Sequence, residues 1–396
     1  MRRIYMDANA TTPLLPEVFE AMRPFFLEHY GNASSIHQQG QYARAAVDNA
    51  RDQIARLLHC RTSEIVFTSG GTESDNLALF GTLGSSPSEP VHLITSSVEH
   101  HAVLHAAESL EKHHIQVTFL PSTPQGLIEP AALQAAIRPN TRLISIMFAN
   151  NETGVIQPVA ELAAIAHAAG ALFHTDAVQA TGKLPLDLSA NGPLRDVDLL
   201  TLSGHKIHAP KGVGVLFVRR NVRLAPMLHG GTHERQRRAG TENVTGIVGL
   251  GKAAEIASAW LASEGLAELA ALRDRLEQGI LAQVDECGVN GAGAPRVANT
   301  ANFYFDHVEA EALVIALDLK GLSVSGGSAC QSGATEPSHV LTAMGLTSAR
   351  ARASVRFSLS KLTTEEEVDY ALDLIPAAVA RLRELSPTYK RPLALS

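Results

Sequence analysis

Lys206 lies in the run Leu202-Ser203-Gly204-His205-Lys206-Ile207-His208, directly after an apolar, strand-like stretch from Val197 to Thr201. Neighbouring cations and partial desolvation lower an ammonium's pKa, and the free amine can then form a Schiff base with an aldehyde. Ser203 and His205 could donate to a phosphate that the lysine alone would not hold. Pyridoxal phosphate is an aldehyde carrying such a phosphate. The run by itself also fits a lysine that faces solvent from a strand-to-turn junction, so the rest of the chain has to decide.

Five other stretches carry residue types suited to the same chemistry. Gly70-Gly71-Thr72 opens a helix after a strand, so free N–H groups and the Thr72 hydroxyl could bind phosphate at the positive end of the helix dipole; a plain N-cap would need no ligand. It matches neither G-x-G-x-x-G nor the P-loop pattern. His174-Thr175-Asp176 ends a strand, and Asp176 could pair with a protonated pyridine nitrogen, with Gln179 reaching a ring oxygen; a strand-end cap is the plainer account. Glu99-His100-His101 opens another helix, where a histidine could stack on a planar ring and move protons, although among 17 histidines any one is more often structural. In Asn150-Asn151-Glu152-Thr153-Gly154 the amides could fix a ring oxygen, or simply form a turn. Arg356, inside the apolar strand Ser354 to Ser358, needs a carboxylate partner, either a substrate's or one of the protein's own.

Cys330 stands apart, in the small-residue loop Ser325-Gly326-Gly327-Ser328-Ala329-Cys330-Gln331-Ser332-Gly333. Core cysteines lie in apolar runs, so a thiol here is expected to be exposed and mobile, able to enter a cleft and carry sulfur away. Cys60 and Cys287, at the ends of helical stretches, read as bystanders. The cationic cluster Arg235-Gln236-Arg237-Arg238 beside glycines is a candidate anion site, and no H-E-x-x-H or Cys-x-x-Cys pattern suggests a resident metal.

The elements that would position these residues alternate. Strands are expected near 65–67, 91–96, 116–120, 142–148, 172–176, 198–202 and 214–218, with helical spacing at 99–113, 130–138 and 158–169 between most of them and a longer amphipathic helix over 38–58 before the first. A helix is expected over 16–29. Runs such as Leu143-Ile144-Ser145-Ile146-Met147-Phe148 are apolar on both faces, which means a mostly parallel sheet in an α/β layer architecture, with ligands beyond the strands' carboxyl ends. After Thr241 two helical stretches, 243–262 and 264–284, lead to an α+β pattern: strand 299–305, helix 310–317, helix 337–344, strand 354–359 and helix 364–385. The expected division is a large domain over 14–260 and a smaller one built from 1–13 and 261–396.

Composition fits a compact enzyme. Of 396 residues 45% are hydrophobic and 18% charged. The net charge of −7 and the lack of a long basic block argue against a nucleic-acid partner. No apolar run approaches the roughly eighteen residues of a membrane span, and the amino terminus lacks a signal peptide's apolar segment. Three widely separated cysteines fit a reducing compartment, the cytoplasm being expected.

Together these stretches resemble the cysteine desulfurases, the class V aminotransferase branch of fold type I pyridoxal phosphate enzymes. The likeness runs in order from Tyr5-Met6-Asp7-Ala8-Asn9-Ala10-Thr11-Thr12-Pro13 to Arg356, and its most specific pieces are Thr68 to Asn76, Ser203-Gly204-His205-Lys206, Arg237-Arg238-Ala239-Gly240-Thr241 and Gly327-Ser328-Ala329-Cys330. Ala8 departs from it, since relatives often carry asparagine there. The resemblance implies that Lys206 tethers pyridoxal 5'-phosphate and later moves the substrate's α-proton, while His100 stacks on the ring as acid/base. It implies Asp176 at the pyridine nitrogen, Gln179 and Asn151 at the ring substituents, and Gly71, Thr72, Ser203 and His205 around the phosphate, completed by Thr241 from the second subunit of a homodimer. Arg356 with Asn32 would hold the carboxylate of L-cysteine. Cys330 would take the sulfur as a persulfide and pass it to an acceptor such as an iron–sulfur scaffold protein, where Cys330 would also serve as a transient cluster ligand. Selenocysteine lyase and aminotransferase are the related alternatives; the latter would not need Cys330.

Overall fold

The computed structural model describes residues 3–84, 89–326, 336–387 and 389. The chain starts with a two-residue strand, Ile4–Tyr5 (β1). Seven strands then form one sheet: Ile65–Thr68 (β2), His92–Ser96 (β3), Gln116–Leu120 (β4), Thr141–Ser145 (β5), Leu172–Asp176 (β6), Leu199–Ser203 (β7) and Gly214–Val218 (β8). Their order is β2-β8-β7-β6-β5-β3-β4. The pairs among β3, β4, β5, β6 and β7 are parallel, and β8 alone runs against its neighbours β7 and β2. The exception has a local cause: most crossovers carry a helix, but a short connection joins β7 to β8 and can only turn the chain back. Lys206 sits in that connection.

Alternate residues of the strands feed two different cores. Ile94, Ile144, Leu200 and Phe217 pack with Val47 and Leu250 on one face. Leu93, Leu143, Leu199 and Leu216 pack with Leu77 and Val103 on the other. The period of two along a strand explains why these runs are apolar throughout.

A second sheet comprises Cys287–Val289 (β9), Thr300–Phe305 (β10), Ser325–Gly326 (β12) and Ser354–Ser358 (β13), in the order β12-β13-β10-β9 and antiparallel throughout. Leu322–Ser323 (β11) pairs with β1, so the first residues of the chain join the last third. Phe303, Phe305 and Phe357 form the core here with Ile4, Met6, Leu276 and Ile375.

The expected elements appear within a few residues, with three differences. The helix expected over 16–29 is two, Pro16–Met22 and Pro24–Leu27, because Pro24 brings no N–H to the helical ladder. Cys287 starts a strand rather than ending a helix. The short helix Ser348–Arg352, and the two-residue strands β11 and β12, carried no periodic signal long enough to read. Among the described residues no helix is long and apolar enough to cross a membrane.

Candidate active site

A cavity of about 370 Å³ opens beyond the carboxyl ends of β6 and β7. Ten of the residues singled out from the sequence line it: Gly71, Thr72, His100, Asn151, Asp176, Gln179, Ser203, His205, Lys206 and Arg356. Asn32 and Thr241 do not. Both are exposed; Asn32 accepts from Ser34 N–H in a turn, and Thr241 lies beside Phe67, Ser69 and Gly212. Cys330 lies outside the described residues.

Lys206 ends a single 3-10 turn, Gly204–Lys206, that follows β7 without a break. The segment 9–13 straps this turn in place: Thr12 donates from its N–H and its hydroxyl to His205 O at 2.9 Å, and the His208 N–H donates back to Thr12 Oγ1 at 2.8 Å. These bonds hold His208 at a φ of 67°, a left-handed conformation that a non-glycine residue adopts only when its surroundings impose it. Lys206 Nζ donates to the carbonyls of Asn9 and Ala10 at 2.6 and 2.7 Å.

Asp176 caps the end of β6, accepting from Val178 N–H at 2.8 Å. Burial raises its pKa, against the pull of that N–H and of Lys206. Near it lies Asp75, fully buried, with His174 Nε2 3.7 Å from its Oδ1 and the Thr201 hydroxyl as a nearby donor that makes no full hydrogen bond to it. Burial, and after it the charge of Asp176, pushes the Asp75 pKa well up. Opposite, His100 is the N-cap of the helix His101–Lys112 and accepts from Ala102 N–H through Nδ1 at 3.1 Å. An Nδ1 that accepts leaves the proton on Nε2. Burial, reinforced by Lys206, lowers its pKa to about 4, so the imidazole is neutral near pH 7.

At one end of the cavity the helix Gly71–Leu83 starts with no side-chain cap on its N-terminal N–H groups. A Cβ on Gly71 would stand 3.0 Å from Val178 Cγ2, so the backbone approaches the turn after β6 more closely there than a larger residue would allow. Thr72, Ser203 and His205 complete a set of neutral donors around that helix start, with His205 lowered to about 4 mainly by burial and next by Lys206. At the other end Arg356 donates from Nη1 to Asn151 O at 2.9 Å and from Nη2 to Asp7 Oδ1 at 2.8 Å, while its buried Nε has no partner. The protein's own carboxylate expected of a buried arginine is thus Asp7, and donors remain over. Asn150 makes the turn, its Oδ1 accepting from the N–H groups of Glu152 and Thr153, and leaves Asn151 on the cavity with an unpartnered Oδ1.

This donor set fits pyridoxal phosphate: an uncapped helix start with three neutral donors for a dianion, a carboxylate for a ring nitrogen, an amine for an aldehyde. Two residues were missed in sequence. Asp75 lay within a quoted motif, without a sign that it would be buried. Asn9 lay within the quoted opening run without a role of its own, yet its side chain bonds Asn151 O, Thr300, Asn299 and Lys183. The arginine cluster is divided, since Arg238 pairs with Glu73 at 2.8 Å.

Residues 4–371 match the family Aminotransferase class-V. Cysteine desulfurase 2 of Trichormus variabilis (strain ATCC 29413 / PCC 7937) is 49% identical over 387 residues, 98% of this chain and 96% of that protein. Cysteine desulfurase IscS of Methanosarcina thermophila is 48% identical over 386 residues, 98% and 94% of the two chains. Among solved structures, a NifS-like protein aligns with a TM-score of 0.88 at 36% identity, covering 96% of this chain and all of its own, and SspA in complex with cysteine with a TM-score of 0.80 at 37% identity over 91% and 99%. On this sequence likeness, carried along almost the whole chain and matched by the fold, the protein belongs to the class-V aminotransferases and, within them, to the cysteine desulfurases.

Proposed function

We propose that the protein binds pyridoxal 5'-phosphate at Lys206 and converts L-cysteine to L-alanine, leaving the sulfur as a persulfide on Cys330. The observation that carries this reading is the convergence of Lys206, Asp176, His100 and Arg356 on one cavity. A structural neighbour, SspA, was solved with cysteine bound. When bound, pyridoxal phosphate supplies an electron sink for the bonds at the substrate's α-carbon and returns the pair, so no external oxidant or reductant is needed. Asp176 would hold the ring nitrogen protonated, while Gln179 and Asn151 address the ring substituents. Gly71, Thr72, Ser203 and His205 would hold the phosphate.

Arg356 takes the substrate carboxylate, with Asn32 as its expected helper. Lys206 Nζ would move the α-proton, and the neutral His100 would donate or accept a proton at Nε2. The Cys330 Sγ attacks the substrate sulfur: an S–S bond forms, the Cβ–S bond breaks, and Cβ takes up a proton. Cysteine and a thiol thus become alanine and a persulfide with all atoms conserved. The persulfide then passes to an acceptor protein such as an iron–sulfur scaffold, with Cys330 as a transient cluster ligand. Residues 14–260 would form the cofactor-binding domain, and 1–13 with 261–396 the domain bearing the thiol. The free thiols of Cys60 and Cys287 suit the cytoplasm.

The working unit is a homodimer in which Thr241 completes the partner's phosphate site. Thr241 lies off its own cavity, and Phe26, Leu27, Tyr30 and Ile36, the last 93% exposed, leave the segment around Asn32 with an uncovered apolar face. Purified protein is expected to absorb in the visible, and Lys206→Ala to lose that band. Cys330→Ala should keep the band and stop sulfide release; undiminished release would favour the selenocysteine lyase alternative, and a colourless wild type would end the cofactor reading. Mixing Lys206→Ala with Thr241→Ala subunits should restore activity that neither homodimer has.

A further inference from the structure

Lys183 is a lysine for which the reaction above has no use. It follows β6 by seven residues and faces a small recess behind Lys206, lined also by Thr12, His208, Trp260 and Lys361. Among the described residues none of its hydrogen-bond partners is a carboxylate. Its Nζ donates instead to two amide oxygens, Gln179 Oε1 at 2.6 Å and Asn9 Oδ1 at 3.2 Å. Taking an ammonium out of water without a counter-ion is unfavourable, and such a position persists where the group does something that a neutral side chain would not.

What it does can be read from hydrogen-bond valence. An ammonium has three donors and no acceptor, so Gln179 must offer it an oxygen. That fixes the amide: Nε2 is turned away from Lys183, one of its N–H bonds goes to Asn9 O at 3.0 Å, and the other remains on a residue that lines the cavity. Released from Lys183, the amide could rotate by half a turn and present an acceptor to the cavity instead. The same contact reaches Lys206 through Asn9, whose carbonyl accepts from Lys206 Nζ while its side-chain oxygen accepts from Lys183.

We propose that Lys183 is a positioning residue, which as the ammonium orients the Gln179 amide so that it presents an N–H rather than its oxygen to the ring oxygen of the bound cofactor. This rests on the assignment of the cavity to pyridoxal phosphate. The charged and titratable groups around Lys183 are Lys206, Arg356, His208 and Lys361, all of them bases. Burial first, then Lys206 and Arg356, lowers the Lys183 pKa to about 7.

The test is a spectrophotometric pH titration of the visible band of the loaded protein. In Lys183→Met the ring oxygen loses its assured donor and the site loses a nearby positive charge. Both changes favour the protonated chromophore, so the midpoint should rise by about half to one pH unit, a three- to tenfold change in the proton's dissociation constant. Lys183→Arg should stay near the wild type. Gln179→Leu removes the donor but leaves the charge, so its rise should be the smaller one, and Lys183→Met combined with Gln179→Leu should rise by less than the sum of the two, since they share one amide. Lys183→Gln, smaller and neutral, gives the same reading should the methionine variant not fold. An unshifted midpoint in folded, loaded Lys183→Met or Lys183→Gln overturns the proposal, as does a shift that adds in full to that of Gln179→Leu. Absence of any visible band from the wild type refutes the cofactor assignment instead, so the two failures are separate.

Discussion

Replacing Arg356 by glutamine should be among the most damaging single changes to turnover, and its size follows from the guanidinium's surroundings. The side chain has five N–H donors. Two are engaged, with Asn151 O and Asp7 Oδ1, and Nε is buried with no partner. Hydrogen bonds to charged groups contribute about 1.5–3 kcal/mol each. A substrate carboxylate taking two of the free donors therefore gains about 3 kcal/mol or more, which is at least a hundredfold in affinity. In Arg356→Gln kcat/KM for alanine formation should fall by that factor, mainly through KM, if the contact is made equally in the ground and transition states. Arg356→Lys keeps a cation for Asp7 but lacks the planar fork, and should lose about tenfold or more. Visible absorbance, measured alongside, shows that the cofactor remains bound. A loss under tenfold in fully loaded Arg356→Gln would mean that the arginine exists for Asp7 alone, and the carboxylate site would have to be sought elsewhere.

Three further outcomes follow from the structure. His174 is fully buried between Ser145 and Thr201, and burial lowers its pKa to about 3. Between that value and the ordinary 6.5 the unfolded chain binds a proton that the folded one refuses, so stability falls as pH falls through this window; His174→Asn should flatten the slope from pH 6 to 4 by about one proton, or about 1.4 kcal/mol per pH unit, in denaturant titrations. Glu234, Arg235 and Gln236 all have positive φ, Gln236 at 68°, so Gln236→Gly should raise the unfolding free energy by about 0.5–1 kcal/mol, and a clear loss would show that the side chain supports the turn. Burial pushes the Cys60 thiol up to about 12, so thiol reagents at pH 8 should leave it unmodified in the native protein and Cys60→Ser should release sulfide at the wild-type rate.

The strands and helices of the large sheet were legible because their signals are local: runs apolar on both faces, punctuated by glycine and proline, can only be buried strands between helices. The residues that could do chemistry were legible by type, each at the end of a strand or the start of a helix. Motif order then carried the family, a likeness that spans nearly the whole chain. Spacing along the chain could not decide which of these residues share one cavity. Asn9 meets Lys206 and Lys183, and Asp7 meets Arg356 some 350 positions away, only because β1 pairs with β11 and draws the first residues back across the sheet ends. Burial is likewise a property of the assembled layers: the same aspartate is an ordinary acid in a helix at position 75 until packing removes its water, and only then does its proton become hard to lose.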